Sequence, residues 1–334
     1  MYGSAWFNTY RIPGPCFPMR NTHSLHRQAN QYNAFSGCTG LTDITIPAGI
    51  DSIAERVFLL ASCTSLTNIT VNLGNPNYSS LDGVLFDKNK TTLICYPVGK
   101  KAESYTIPDS VKSIGAYAFF ECANLTSVTI PDGVMDIGEY AFENCGNLID
   151  VTIPDSVTSI KWGAFFNCKS LTSITIPNSV IRIGQLAFAN CTSLTNITIP
   201  NSVTSIEDHV FAVCTSLTSI VIPDSVTSIG DFAFWSSNLT SITIPNSVTG
   251  IGASAFQNCY NLSEIYYGGS ERRWNAITIE DGNEYLLNAP VIYYNDDDDF
   301  DGTFRGTCGD NLTWALDEEG TLTISGSGKM EDYS

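Results

Sequence analysis

Seven leucines, Leu125, Leu148, Leu171, Leu194, Leu217, Leu239 and Leu262, are separated by 23, 23, 23, 23, 22 and 23 residues. A fixed period of this size marks a solenoid, in which each unit is one coil and no unit has a core of its own. Counting the leucine as slot 1, apolar residues recur at slots 1, 4, 6, 10, 13, 17, 18 and 21. In the first unit these are Leu125, Val128, Ile130, Val134, Ile137, Ala141, Phe142 and Cys145. Slots 4 and 6 alternate with polar slots 3 and 5, the period of a half-buried strand. Proline at slot 7 ends that strand, because it has no N–H for the ladder. A second short extended piece covers slots 10 to 13, as in Val180-Ile-Arg-Ile183. Glycine at slot 14 and the Ala-Phe pair predict a tight turn and at most one helical turn. No segment of the array has the ten or so residues of helical periodicity that a real helix needs. Stacked parallel rungs about 4.8 Å apart bury these faces against their neighbours, and the array then needs a cap at each end.

Outside the regular units the rhythm changes. Residues 1–32 do not fit the repeat; they hold Arg11, Arg20, Arg27, His23 and His26 and no acidic residue, and are expected to be an irregular lead-in. The array is expected over 33–294. It enters mid-unit at Asn33-Ala-Phe-Ser-Gly-Cys38, and one 25-residue unit runs from Leu41 to Leu66 with Phe58 and Cys63 in the usual slots. An irregular insertion is expected over 72–104, with strands at Gly83–Phe86 and Thr91–Tyr96. An aromatic cap is expected over about 263–294, built on Tyr266, Tyr267, Trp274, Tyr293 and Tyr294. An acidic linker beginning at Asn295 should lead to a hairpin, the start of a further β module reaching residue 334.

The repeat resembles the leucine-rich repeat subclass of BspA-like and Treponema surface proteins. Leu217-Thr-Ser-Ile-Val-Ile-Pro-Asp-Ser-Val-Thr-Ser-Ile-Gly-Asp-Phe-Ala-Phe234 carries its pattern, and the likeness covers about residues 33 to 279. The resemblance implies a leucine-rich repeat right-handed solenoid, mainly parallel β with little regular helix. It also implies an extracellular or cell-surface bacterial location and a role in adhesion to host or bacterial proteins. The chain begins without a signal-peptide pattern, so it is expected to be a piece of a longer surface protein. One unit departs from the pattern: at Trp235-Ser-Ser-Asn-Leu239 it is a residue short and lacks its cysteine.

The cysteines form a ladder. Cys38, Cys63, Cys122, Cys145, Cys168, Cys191, Cys214 and Cys259 share one slot, with no CxxC pair. Parallel side chains on neighbouring rungs keep their Cβ atoms too far apart for a disulfide. The array's single histidine, His209, offers no convergent metal ligands. The expectation is buried free thiols, with Leu125, Leu148, Leu171, Leu194 and Leu217 beside them as structure. Asp297-x-Asp299-x-Asp301-Gly302 matches half a calcium loop, but Cys308 stands where a carboxylate is required, so an acidic linker is the better reading. Gly326-Ser-Gly-Lys329 lacks the first glycine of a phosphate loop. No nucleophile–base set emerges, no cofactor is called for, and the expectation is a non-enzyme.

Composition narrows the partners. Net charge is −18, which disfavours nucleic acid and anionic membrane, and no apolar run is long enough for a membrane helix. Polar slots 3 and 5 offer the candidate binding surface: Thr129, Thr152, Thr175, Thr198 and Thr243 at slot 5, Ser173 and Asn196 at slot 3, and Tyr266 in the cap. Slot 5 fails once, at Val221. β-propensity and solubility also explain such residues. The leading expectation is an interaction protein presenting this strip to a protein or glycan. The alternative is a structural stalk displaying other domains. Any special recognition is expected where the repeat breaks.

Overall fold

The computed structural model describes residues 38–53 and 63–294, together with the backbone of three short strands between 304 and 326. The lead-in, Phe58, the acidic linker with its half calcium loop and the Ser327–Lys329 stretch lie outside the described residues.

The chain is a parallel β-solenoid of about 11 turns with almost no helix. Slots 3–5 build one face. Its strands are β1 (Asp43–Ile46), β2 (Asn68–Val71), β6 (Ser104–Thr106), β8 (Ser127–Thr129), β10 (Asp150–Thr152) and β12 (Ser173–Thr175), continued by β14 (Asn196–Thr198), β16 (Ser219–Val221), β18 (Ser241–Ile244), β20 (Glu264–Tyr267) and β22 (Val291–Tyr293). Slots 12 and 13 build a second face from the two-residue strands β7 (Ser113–Ile114), β9 (Asp136–Ile137), β11 (Ser159–Ile160) and β13 (Arg182–Ile183), continued by β15 (Ser205–Ile206), β17 (Ser228–Ile229), β19 (Gly250–Ile251) and β21 (Thr278–Ile279). Every described pairing between coils is parallel and in register, so Val128 lies opposite Val151 and Ile174 opposite Ile197. The insertion is an antiparallel meander, β3 (Tyr78–Leu81), β4 (Val84–Asp87) and β5 (Thr92–Cys95), which joins the second face through the parallel β5–β7 pair.

The third side of the coil is made without strands. Slots 15 to 20 form two interleaved tight turns in which the backbone turns left-handed at slots 16 and 20, as at Tyr140 (φ 53°) and Asn144 (φ 61°). This alternation points successive N–H groups along the solenoid axis. Tyr140, Phe142 and Asn144 donate to the carbonyls of Trp162, Ala164 and Phe166 in the next coil at 2.8, 2.8 and 2.9 Å. In the described regular units the Ala-Phe pair thus sits in tight turns with no helical turn added, within the expected limit of one. The described helices, α1 (Glu271–Trp274) and α2 (Glu284–Asn288), both lie beyond Leu262.

All eight apolar slots of the regular units are buried, and together they fill one continuous core. Slot 18 is a column of phenylalanines. Phe119, Phe142, Phe165, Phe188, Phe211, Phe234 and Phe256 stack face to face at 4.8–6.0 Å with planes within 17° of parallel. Slot 9 serine hydroxyls tie coils together at the corner after proline: Ser156 donates to the Val134 carbonyl at 2.7 Å and Ser179 to that of Val157 at 2.7 Å. At the C-terminal end Tyr267 and Trp274, both buried, meet edge-on at 5.2 Å over the last rungs. Asn283 closes the third ladder. Its side-chain oxygen accepts from Phe256 N at 3.0 Å, and its amide donates to the carbonyls of Gly252 and Glu280 at 2.9 and 2.8 Å. Separately, β23 (Phe304–Gly309), β24 (Leu312–Leu316) and β25 (Leu322–Gly326) form an antiparallel sheet, one strand more than the expected hairpin.

Candidate interaction surface

Alternation along each slot 3–5 strand turns slot 4 inward and slots 3 and 5 outward. Thr129, Thr152, Thr175 and Thr198 are exposed, as are Ser173 and Asn196; Thr243 and Tyr266 are half-buried. The in-register pairing sets them in rows. Thr152 lies opposite Thr129, Thr175 opposite Thr198, Val221 opposite Thr243, and Thr243 opposite Tyr266. Tyr266 ends the row with its hydroxyl donating to the Glu264 carboxylate at 2.6 Å and its ring stacked 5.9 Å from Tyr294.

This face is not a continuous sheet. Strand pairing is interrupted between β10 and β12 and again between β14 and β16. At the second interruption lies a groove of about 520 Å³, running across four coils past Asn196, Thr198, Ser219, Val221, Thr243 and Gly268. Val221 is 66% exposed within it, an apolar side chain in a row of hydroxyls. The sequence marked the spot only as a failed threonine. It gave no sign that β14 and β16 are unpaired there.

The cysteine ladder is structural and chemically quiet. Cys63, Cys95, Cys122, Cys145, Cys168, Cys191, Cys214 and Cys259 are free and buried. Cys38 departs from the expected ladder of free thiols, because it is disulfide-bonded. The thiols are not merely small apolar groups. Cys145, Cys168, Cys191 and Cys214 donate to the carbonyls of Phe119, Phe142, Phe165 and Phe188 at 3.0–3.3 Å, one coil back. Each of these carbonyls belongs to slot 18 and also accepts the slot 21 N–H of its own coil, so the thiol takes its second lone pair. Where the cysteine is missing, buried Ser237 occupies the slot and its hydroxyl lies 3.4 Å from the Cys259 sulfur. Burial pushes Cys145 and Cys214 up to about 12 and Cys63 to about 11, and raises Cys168 and Cys191 well above the ordinary thiol range. Such thiols are protonated at neutral pH and are poor nucleophiles and ligands. Leu125, Leu148, Leu171, Leu194 and Leu217 are fully buried beside them.

Two further ladders escaped the sequence reading. Left-handed slot 20 holds Asn144, Asn167 and Asn190, whose side-chain amides chain from coil to coil: Asn167 donates to Asn144 at 2.5 Å, and Asn190 donates to Asn167. Asparagine recurring at one slot was the available signal, since it tolerates the left-handed region. The phenylalanine column was visible as a pattern but not as a stack. Among the described residues no group of three or more His, Cys, Asp or Glu side chains converges on one point. No described helix is long and apolar enough to cross a membrane.

The parallel solenoid described above is that of leucine-rich repeat proteins, which are generally binding or scaffold proteins. The chain belongs to the BspA type leucine rich repeat family, matched in six copies over residues 28–98, 95–212 and 181–277. Among solved structures it is similar to the pneumococcal vaccine antigen PcpA, at 25% identity and a TM-score of 0.50, over 76% of this chain and 56% of that one. It is similar to a leucine-rich repeat protein of Eubacterium ventriosum at 26% identity and a TM-score of 0.49, over 60% of this chain and 59% of that one. A leucine rich cell surface protein of Faecalibacterium prausnitzii is 30% identical with a TM-score of 0.35, over 71% of this chain and 82% of that one. The chain thus spans little more than half the length of the first two. No curated protein matches it.

Proposed function

We propose that this chain is a non-enzymatic, cell-surface or secreted interaction module. It engages an extracellular protein or glycan through the slot 3–5 strand face and contributes to adhesion. The observation that carries this reading is the aligned row of exposed hydroxyls and amides leading into the groove at Val221, on a frame that is otherwise fully packed. Threonine and asparagine side chains on a rigid sheet lose little freedom on binding and offer both donors and acceptors. With few charges on the face, each contact is weak, and repetition along the solenoid supplies avidity. The surface location follows the family's usual setting.

The test is binding of the purified chain to a panel of extracellular matrix proteins and glycans. A parallel panel uses the Thr175→Arg/Thr198→Arg variant, whose substitutions point to solvent and leave the core untouched. The reading expects saturable binding to at least one ligand and its loss in the variant. A stalk would bind nothing on either panel while melting normally.

A further inference from the structure

A second row of large side chains runs along the strandless third side of the coil. At slot 16 the backbone is left-handed, with φ of 58° at Tyr117, 53° at Tyr140, 60° at Leu186, 59° at His209 and 55° at Phe232. The fold therefore accepts bulky residues there. Gly163 shares the slot and the conformation (φ 60°), so the backbone is not what keeps it small. Its neighbour is: a Cβ at 163 would stand 2.4 Å from a ring carbon of Tyr140. Tyr140 lies across the glycine, with Tyr117 stacked on it at 5.2 Å and 12° from one coil and Trp162 tilted against it at 5.3 Å from the other. Trp162 is 44% exposed. Further along the same row, beyond Leu186, His209 stacks on Phe232 at 4.8 Å.

Carboxylates stand next to the ring residues of this row in the chain. Exposed Glu139 precedes Tyr140 in the chain, as Asp208 precedes His209 and Asp231 precedes Phe232. Two of them are held in place. Asp208 accepts from the Gln185 amide and from Asp231 N, both at 3.0 Å, and Asp231 accepts from Ala253 N at 2.8 Å. Lys161, the cation nearest in sequence to Trp162, lies 3.9 Å from Asp136. Burial lowers the pKa of His209, with Asp208 and Asp231 opposing the shift, so the His209–Phe232 pair adds no cation of its own at neutral pH.

We propose that this aromatic and acidic row is a docking surface for a basic, extended protein segment. Its Arg and Lys side chains lie against the rings while their charges meet the carboxylates. A cation within about 6 Å of an aromatic face is attracted by the ring quadrupole, most strongly by tryptophan, and adjacent carboxylates add to the attraction. The fit is one of charge complementarity, consistent with a chain of net charge −18. A neutral glycan would use the rings but leave the carboxylates without a role. The site is on a different side of the coil from the strand face and does not depend on it.

The test is calorimetric titration of the full chain with a synthetic peptide of alternating Arg and Gly, beside a Ser-Gly peptide and a neutral oligosaccharide. Trp162→Ala and Trp162→Leu leave every charge in place, and thermal melts confirm that both fold. The expected result is binding of the Arg peptide alone, weakened roughly tenfold in both variants and by added salt. Thr175→Val/Thr198→Val on the strand face should leave it unchanged. Equal affinity in wild type and the Trp162 variants would overturn the proposal, since charge alone would then account for binding. Preference for the oligosaccharide would also overturn it.

Discussion

Raising the pH should unfold this protein through its cysteine ladder. Burial holds Cys95, Cys145 and Cys214 up to about 12, Cys63 at about 11, and Cys122, Cys168 and Cys191 well above the ordinary value of 9.0. Below pH 9 the thiols are protonated in both the folded and the unfolded chain, and they leave stability unaffected by pH. Between pH 9 and the folded values, the unfolded chain releases protons that the folded chain keeps. Stability therefore falls as pH rises through that window, by about 1.4 kcal/mol per pH unit for each fully buried thiol. For Cys145, Cys168 and Cys191 together the fall is about 4 kcal/mol per unit, a large part of a typical domain's stability. The assay is urea unfolding followed by circular dichroism at pH 8, 9 and 10 under reductant, for the wild type and the Cys145→Ala/Cys168→Ala/Cys191→Ala variant. The variant starts less stable at pH 8, having lost packing and three thiol hydrogen bonds. Its decline toward pH 10 should be shallower by about 4 kcal/mol. Tyr96 and Tyr105, also raised by burial, are common to both proteins and cancel. Parallel declines would show that the ladder is not a set of buried protonated thiols.

Three other outcomes follow from the packing. Phe165→Ala opens a hole in the middle of the phenyl column, between neighbours at 5.1 and 5.4 Å, and should cost about 3–5 kcal/mol in urea titrations. Because coils communicate only through their neighbours, it should also split the unfolding transition into two. Asn283→Ala strands Phe256 N at the end of the third ladder, while the Gly252 carbonyl keeps the Ala255 N–H; a loss of about 1–3 kcal/mol is expected, with faster amide exchange confined to the last coils. In denaturant without reductant, thiol titration should find the eight described free cysteines, and the native protein should react at few of them.

The fold was largely legible because its core is written in a strict period. All eight apolar slots proved buried, and proline at slot 7 ended the first strand as its missing N–H requires. The third side was not legible, for a physical reason. Its left-handed positions include Tyr140, Leu186, Val213 and Phe232, residue types that seldom adopt that conformation alone. Hydrogen bonds from both adjacent coils over-determine the backbone there, and a single-sequence propensity cannot see them. The same limit hid the thiol hydrogen bonds, since slot 21 looked only small and apolar. On the strand face, alternation was enough to place Thr129, Thr152, Thr175 and Thr198 on the surface. The groove beside Val221 lies where β14 and β16 are unpaired, and pairing between coils is not encoded by a local pattern. The aromatic row was missed because slots 15 and 16 vary in identity from coil to coil. Only the ring contacts, and the space left by Gly163, bring it together.

Binding through the strand face is tested by the affinity of the intact chain for extracellular protein and glycan ligands, measured by surface plasmon resonance beside the Thr175→Arg/Thr198→Arg variant. The wild type should bind at least one ligand saturably, and a variant with an unchanged melting temperature should bind at least tenfold more weakly, a difference of about 1.4 kcal/mol or more. Equal binding by both proteins, or none by either, would contradict binding through this face.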